Sequence, residues 1–254
     1  MKFTRAIVKK PCNNMVNGLT TAKLGKPDYD LACQQHEKYV EALQYCGLEV
    51  TVLPADNDYP DSTFVEDTAL LTSECAIITM PGDPSRRGEI KSIHDIVSKY
   101  YDKIEQTSLP GTVDAGDIMM VGKHFYIGLS NRTNPEGANQ VINILNKYGM
   151  IGSTIEVGDM LHLKSGVNYL ENHVIAAIKE FRSHPEFQKF DIIKVVKDEA
   201  YAANCLWLNG KVLVADGFPK VKEMVKKYGY EIVTLSVSEF QKLDGGLSCL
   251  SLRF

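Results

Sequence analysis

The residues in this chain best suited to nucleophilic and acid–base chemistry near neutral pH are its six cysteines and six histidines. Cys249 stands in Asp244-Gly245-Gly246-Leu247-Ser248-Cys249, where two glycines permit tight backbone geometry and close approach of a ligand. A thiolate is a strong nucleophile wherever a base or an electropositive setting generates it. His162 lies in Leu161-His162-Leu163-Lys164-Ser165-Gly166, and strand alternation sets it on the opposite face from its two leucines. An imidazole there suits general acid–base work. The other histidines (His36, His94, His124, His173, His184) read as surface or helix positions, and none forms HxH or HExxH. The other cysteines form no CxxC pair and no zinc spacing, and read as structural or incidental.

Carboxylates gather where loops enter strands: Asp61 after Pro60, Glu66 and Asp67 after Phe64-Val65, and Asp114 and Asp117 around Ala115-Gly116. Such pairs often only decorate a solvated surface. The functional alternative is a pocket for a planar cation, since a guanidinium carries five N–H donors in a fixed fork that carboxylates in its plane can accept. Two arginine sites precede helix-like segments, Arg86 in Ser85-Arg86-Arg87-Gly88 and Arg132 in Asn131-Arg132-Thr133-Asn134. Read together, acids for one end and arginines for the other describe a zwitterionic ligand with a cationic tail, an arginine-like molecule.

These residues are far apart in the chain, so the elements between them must bring them together. A helix is expected from Asp28 to Cys46, with Leu31, Gln35, Tyr39 and Leu43 at four-residue spacing and Gly47 as its stop. The alternating run 48–53 follows as a strand. The same grammar returns at 134–149 with a strand near 154–157, and at 219–229 with a strand at 230–235. Paired strand-like runs precede the helices: 68–71 with 76–79, 117–121 with 124–127, and 206–208 with 211–214 across an Asn209-Gly210 turn. The unit is strand, strand, helix, strand. Its first-strand markers Glu66, Asp114, His162, Asn204 and Cys249 recur at intervals of 42–48 residues. Such a period suggests radial repetition. The last unit runs off the C-terminus while the N-terminus supplies a strand and a helix without a hairpin, so the two ends would complete one unit and close a ring.

At this point the chain resembles the pentein superfamily of guanidine-modifying enzymes, and within it the dimethylarginine dimethylaminohydrolase family. The resemblance runs nearly end to end. It is carried by Leu24-Gly25-Lys26-Pro27-Asp28-Tyr29, Phe64-Val65-Glu66-Asp67, Ser85-Arg86-Arg87-Gly88-Glu89, the Asp114–Gly122 stretch, Leu161-His162-Leu163-Lys164 and Asp244–Cys249. It implies an α/β fold, a five-bladed pseudosymmetric propeller of ββαβ units, with residues 1–254 as one catalytic domain. It implies hydrolysis of methylated arginine to citrulline, with Cys249 as nucleophile, His162 as general acid and base, and Asp114 and Asp67 holding the guanidinium. Leu19 (through its backbone), Asp61, Glu66, Arg86 and Arg132 would bind the amino-acid end and neighbouring polar groups. No metal and no organic cofactor would be needed, and a homodimer is the assembly implied. One departure is visible: close bacterial members carry Glu where this chain has Asp114. Asp is one methylene shorter, so affinity or the choice of methylated guanidine is expected to shift.

Composition narrows the field further. The chain has 254 residues, 44% hydrophobic and 24% charged, with a net charge of −4. A nucleic-acid or anionic-membrane binder should show a basic excess, which is lacking. No run approaches 18 apolar residues, and the apolar stretch Ala6-Ile7-Val8 is short for a signal peptide, so the cytoplasm is the expected location with the thiols reduced. The competing readings are a sister activity on the same scaffold (arginine deiminase or an amidinotransferase), a non-catalytic binding protein of the same fold, and an ordinary α/β domain with Cys249 in its core.

Overall fold

The computed structural model describes residues 2–254. Local signals place the helices close to where the sequence predicts them. The Asp28 side chain accepts the Leu31 N–H and starts α1 (Tyr29–Tyr45). Asn134 accepts the Gly137 N–H and starts α3 (Pro135–Lys147), with proline at the favoured first turn. Helix α2 is Ile90–Val97, shortened because Pro84–Glu89 before it forms a 3-10 segment. Helix α5 is Pro219–Lys227, and two single-turn helices, α4 (Lys179–Arg182) and α6 (Ser238–Gln241), complete the set among the described residues. Gly47, Gly149 and Gly229 follow α1, α3 and α5 with φ of 87°, 71° and 86°, the left-handed conformation that ends each helix and turns the chain into a strand.

The strands form five sheets of three. Strands β3 (Ala69–Leu71), β4 (Ala76–Ile78) and β5 (Ile104–Gln106) make one, and β6 (Ile118–Val121), β7 (His124–Leu129) and β8 (Ile151–Glu156) the next. The third holds β9 (Val167–Tyr169), β10 (Val174–Ala177) and β11 (Asp191–Lys194), and the fourth β12 (Leu206–Leu208), β13 (Lys211–Ala215) and β14 (Glu231–Leu235). In every sheet the first strand is antiparallel to the second, and the third is parallel to the second. The fifth sheet joins the chain ends: β15 (Leu252–Arg253) pairs antiparallel with β1 (Arg5–Lys9), which pairs parallel with β2 (Glu49–Leu53). This is the expected five-unit α/β propeller, closed by its termini.

Two local expectations differ from the structure. The third sheet has no long helix; α4 and a 3-10 turn at Pro185–Phe187 cross between β10 and β11. His162 is not in a strand: it is the extended residue (φ −142°, ψ 157°) preceding a 3-10 turn at Leu163–Ser165. His36, read as a surface or helix position, lies on α1 and is buried there.

What matters for function is the ring of turns that precede the first strands. The 3-10 turns Val65–Thr68, Ala115–Asp117, Leu163–Ser165 and Lys197–Ala203 touch one another in that order. The first strands β15 with β3, β6 with β9, and β9 with β12 do likewise, so both sets surround one axis. Apolar side chains such as Ile127, Val141 and Leu145 pack sheet against helix behind them, fixing the ring from outside.

Candidate active site

The turns bring a cleft to one end of the axis, walled by Asp67, Asp114, His162 and Cys249, and further by Leu19, Asp61, Arg86 and Arg132. Cys249 sits in the turn that leads into β15. Its sulfur accepts the Gly246 N–H at 3.3 Å, and its own N–H donates to Gly246 O. The glycines before it are required by close packing: a Cβ on Gly245 would lie 2.1 Å from the Phe64 ring, and one on Gly246 2.6 Å from the Asn204 side chain. The thiol is partly buried, and burial together with Glu66 and Asp67 pushes its pKa up to about 12. Burial first, with Glu66 and the cleft carboxylate Asp67 adding to it, therefore holds the thiol protonated.

His162 is 7% exposed. Its Nε2 lies 3.8 Å from Asp67 Oδ1 and 3.9 Å from Asp114 Oδ2, and its Nδ1 lies 3.3 Å from Asp117 Oδ2. Burial opposes protonation, but Asp117, Asp67 and Asp114 outweigh it and raise the pKa to about 9. The imidazole is thus a cation at neutral pH.

The two acids on the Nε2 side differ in their support. Asp67 Oδ1 accepts the Gly116 N–H at 3.1 Å, and its Oδ2 accepts Arg86 Nη1 at 2.6 Å. Burial works against its charge, yet His162 and Arg86 hold its pKa below the ordinary value. Asp114 has only the Gly82 N–H on Oδ1, at 2.9 Å, and its buried Oδ2 has no hydrogen-bond partner. Burial first, and then Asp67, raise its pKa to about 6. A carboxylate oxygen without a donor, facing a cleft, is a vacancy in polar satisfaction that a ligand's N–H would fill.

Asp67, Asp114 and His162 offer ligand-type atoms within 4.8 Å of one another, the one such group among the described residues. A metal ion there would have to displace the proton of His162, whereas an organic cation would need only the carboxylates.

The residues named for the amino-acid end divide. Asp61 is buried and accepts the Leu19 N–H on both oxygens, at 3.0 and 3.2 Å, tying the 18–22 loop to the cleft wall. Arg132 Nη1 is ion-paired with Asp83 Oδ2 at 3.3 Å, without hydrogen-bonding alignment, and the side chain lines the cleft wall. Arg86 reaches the cleft, but its fork serves protein groups: both oxygens of Glu89 at 3.0 and 2.9 Å, Asp67, and Phe64 O. Glu66 is not brought to this cleft. It turns to the other side of the Cys249 turn, toward a cavity of about 110 Å³ along the axis. There it meets Lys164 Nζ at 2.6 Å, Arg253 Nη2 at 2.5 Å and the Ser248 hydroxyl at 2.7 Å. Glu66 and Asp67 are consecutive in a 3-10 turn, so their side chains leave in different directions.

Lys164, Arg253, Ser248 and Glu89 escape the sequence reading, because nothing in their local pattern distinguishes them from surface charge. Asp117, named in the sequence only as part of the Asp114 group, is sent by its turn to Nδ1 of His162 and not into the cleft.

The family model described as N,N dimethylarginine dimethylhydrolase, eukaryotic, matches residues 20–251. An N(G),N(G)-dimethylarginine dimethylaminohydrolase of Pseudomonas aeruginosa is 51% identical over 253 residues, spanning 99% of this chain and 100% of the relative. One of Streptomyces coelicolor is 33% identical, spanning 100% of this chain and 98% of the relative. Among solved structures, a Cys-to-Ser mutant of the Pseudomonas aeruginosa enzyme complexed with citrulline superposes with a TM-score of 0.99 at 50% identity, covering 100% of both chains.

Proposed function

The chain belongs to the dimethylarginine dimethylaminohydrolase family, and from that premise we propose that it hydrolyses Nω,Nω-dimethyl-L-arginine, and Nω-methyl-L-arginine, to L-citrulline and the corresponding methylamine. The observation that carries this reading is a single cleft presenting a thiol, a cationic imidazole and two carboxylates, one of them lacking a donor. The enzyme is a C–N hydrolase acting on a linear amidine, with residues 1–254 serving as one catalytic unit.

The guanidinium enters between Asp67 and Asp114, and its N–H groups supply the donors that Asp114 Oδ2 lacks. Arg132 receives the substrate carboxylate, while Asp61 and the Leu19 backbone close over the amino-acid end. Arg86 holds Asp67 in place. The substrate's charge then offsets the acids that kept the thiol neutral, and Cys249 loses its proton to solvent. The thiolate attacks the guanidinium carbon. Protonated His162 delivers its proton to the departing dimethylamine, and a cationic thiouronium adduct remains. Neutral His162 takes a proton from water as the oxygen attacks that carbon. The C–S bond breaks, the hydroxyl proton passes to solvent, and citrulline leaves with the thiolate and imidazolium restored.

We take the cytoplasm as the site of action, supported by six free cysteines. No helix among the described residues is long and apolar enough to cross a membrane. A homodimer is the assembly we expect, read by light scattering on the eluting peak of a sizing column.

The deciding experiment is citrulline release from dimethyl-, monomethyl- and unmodified arginine. Turnover of the methylated substrates with little from arginine supports the reading. Preference for arginine would instead make the chain a deiminase on this scaffold. In the same assay Asp114→Glu reports whether the shorter side chain sets the preference among methylated forms.

A further inference from the structure

Asp117 has no part in the steps above, yet it is the carboxylate nearest the imidazole. It is fully buried, at 0% exposure, and does not line the cleft. Its Oδ1 accepts the Leu163 N–H at 2.9 Å. Its Oδ2 accepts the hydroxyls of Ser130 and Thr133, each at 2.7 Å. That same Oδ2 lies 3.3 Å from His162 Nδ1. One carboxylate therefore grips the peptide that follows His162 and faces its ring. Nδ1 is buried and has no hydrogen-bond partner, so the pair is close but misaligned. Catalytic hydrogen bonds of this kind commonly tighten only when substrate is in place.

We propose that Asp117 is the positioning carboxylate of His162: it holds the Nδ1–H and leaves Nε2 as the atom that exchanges protons. This rests on His162 being the acid and base of the proposed reaction. A neutral imidazole carries one N–H. With that hydrogen kept on Nδ1 by Asp117, Nε2 has a lone pair directed at the cleft, where water must be deprotonated. Asp114 and Asp67, on the Nε2 side, are then free to serve the guanidinium. Because Asp117 is held by three donors from two segments, it cannot swing to the substrate and back. The sequence separation of three makes Asp114 and Asp117 equal candidates on paper; their opposite sides of one imidazole separate them.

The charged and titratable groups facing His162 are Asp117 and Asp114 from one turn, Asp67 from the neighbouring turn with Arg86 behind it, and Cys249 across the cleft. The test must separate Asp117 from the rest. Asp117→Asn keeps the shape and can still accept the Leu163 N–H. We expect kcat to fall about 10²–10⁴-fold with KM changed less than threefold. The alkaline limb of kcat/KM should move acidward by about a unit, since the partner that favours the imidazolium has lost its charge. Asp114→Asn should give the opposite split, with KM raised at least tenfold and the limb moved less than in Asp117→Asn, since Asp114 is the weakest of the three carboxylates acting on His162. A role confined to anchoring the Leu163 turn would lower stability without moving that limb.

A second measurement needs no variant. With ¹⁵N-labelled histidine, the unsubstituted protein held above its alkaline limb should show neutral His162 with its proton on Nδ1, in slow exchange. A proton on Nε2 instead would overturn the proposal, as would Asp117→Asn with unchanged kcat and limb. His162→Ala separates this from the underlying reading: undiminished kcat there would remove His162 itself from the mechanism, whereas an inactive His162→Ala beside an unaffected Asp117→Asn refutes only the role of Asp117.

Discussion

Arg86 Nη1 lies 2.6 Å from Asp67 Oδ2 with both side chains buried, so the acid facing the cleft is braced from behind by a cation. The same guanidinium takes both oxygens of Glu89. Removing it leaves two buried carboxylates without their charge partner, which ordinarily costs about 3–5 kcal/mol. Arg86→Met should therefore lower the urea midpoint markedly and raise KM for dimethylarginine through a misplaced Asp67. A variant as stable as the parent, with only KM changed, would instead make Arg86 a direct contact for the substrate carboxylate.

The pH profile follows from two opposed groups. Asp114 titrates at about 6 and must be charged to attract the guanidinium, so kcat/KM should fall below that pH. His162 titrates at about 9 and must be protonated to serve as acid, so kcat/KM should fall above it. Stability should follow His162 separately. Its folded pKa exceeds the ordinary value near 6.5, so the native state binds more protons between those values. The stabilisation is complete below about 6.5 and is lost as pH rises through about 9. Denaturation midpoints at pH 6 and pH 10 measure it.

The thiol of Cys249 should be unreactive by itself and become acidic when a cation occupies the cleft. Titrating thiolate absorbance should show a pKa far above neutrality, and a non-reactive guanidine ligand should lower it by at least one unit. An unchanged value with ligand bound would defeat the substrate-assisted step. Cys249→Ser should retain ligand binding while losing turnover.

Glu66 offers a further check, since it lies under the Cys249 turn. Its N–H donates to Cys249 O, and its carboxylate joins Lys164, Arg253 and Ser248. Glu66→Gln leaves two part-buried cations, Lys164 and Arg253, facing a neutral group, which destabilises the fold. We expect reduced thermal stability and reduced kcat, with KM little altered. A tenfold rise in KM at full stability would place Glu66 in the substrate's path after all.

Much of the architecture is legible in local chemistry. The Asp28 and Asn134 caps, the glycines after α1, α3 and α5, and the Asn209-Gly210 hairpin each act over a few residues. Their recurrence therefore shows in a one-dimensional pattern, and the shared unit of the two termini follows from what each end lacks. Residue type and loop context likewise mark Cys249, His162 and the acids as candidates. Which acid serves which purpose is decided only when the turns meet. Glu66 and Asp67 are neighbours in the chain but lie on opposite sides of the Cys249 turn, and Asp114 and Asp117 share a turn but face different nitrogens of one ring. Side-chain direction within a turn is set by backbone dihedrals, and partners come from distant units, so ring closure assigns these roles where spacing along the chain cannot.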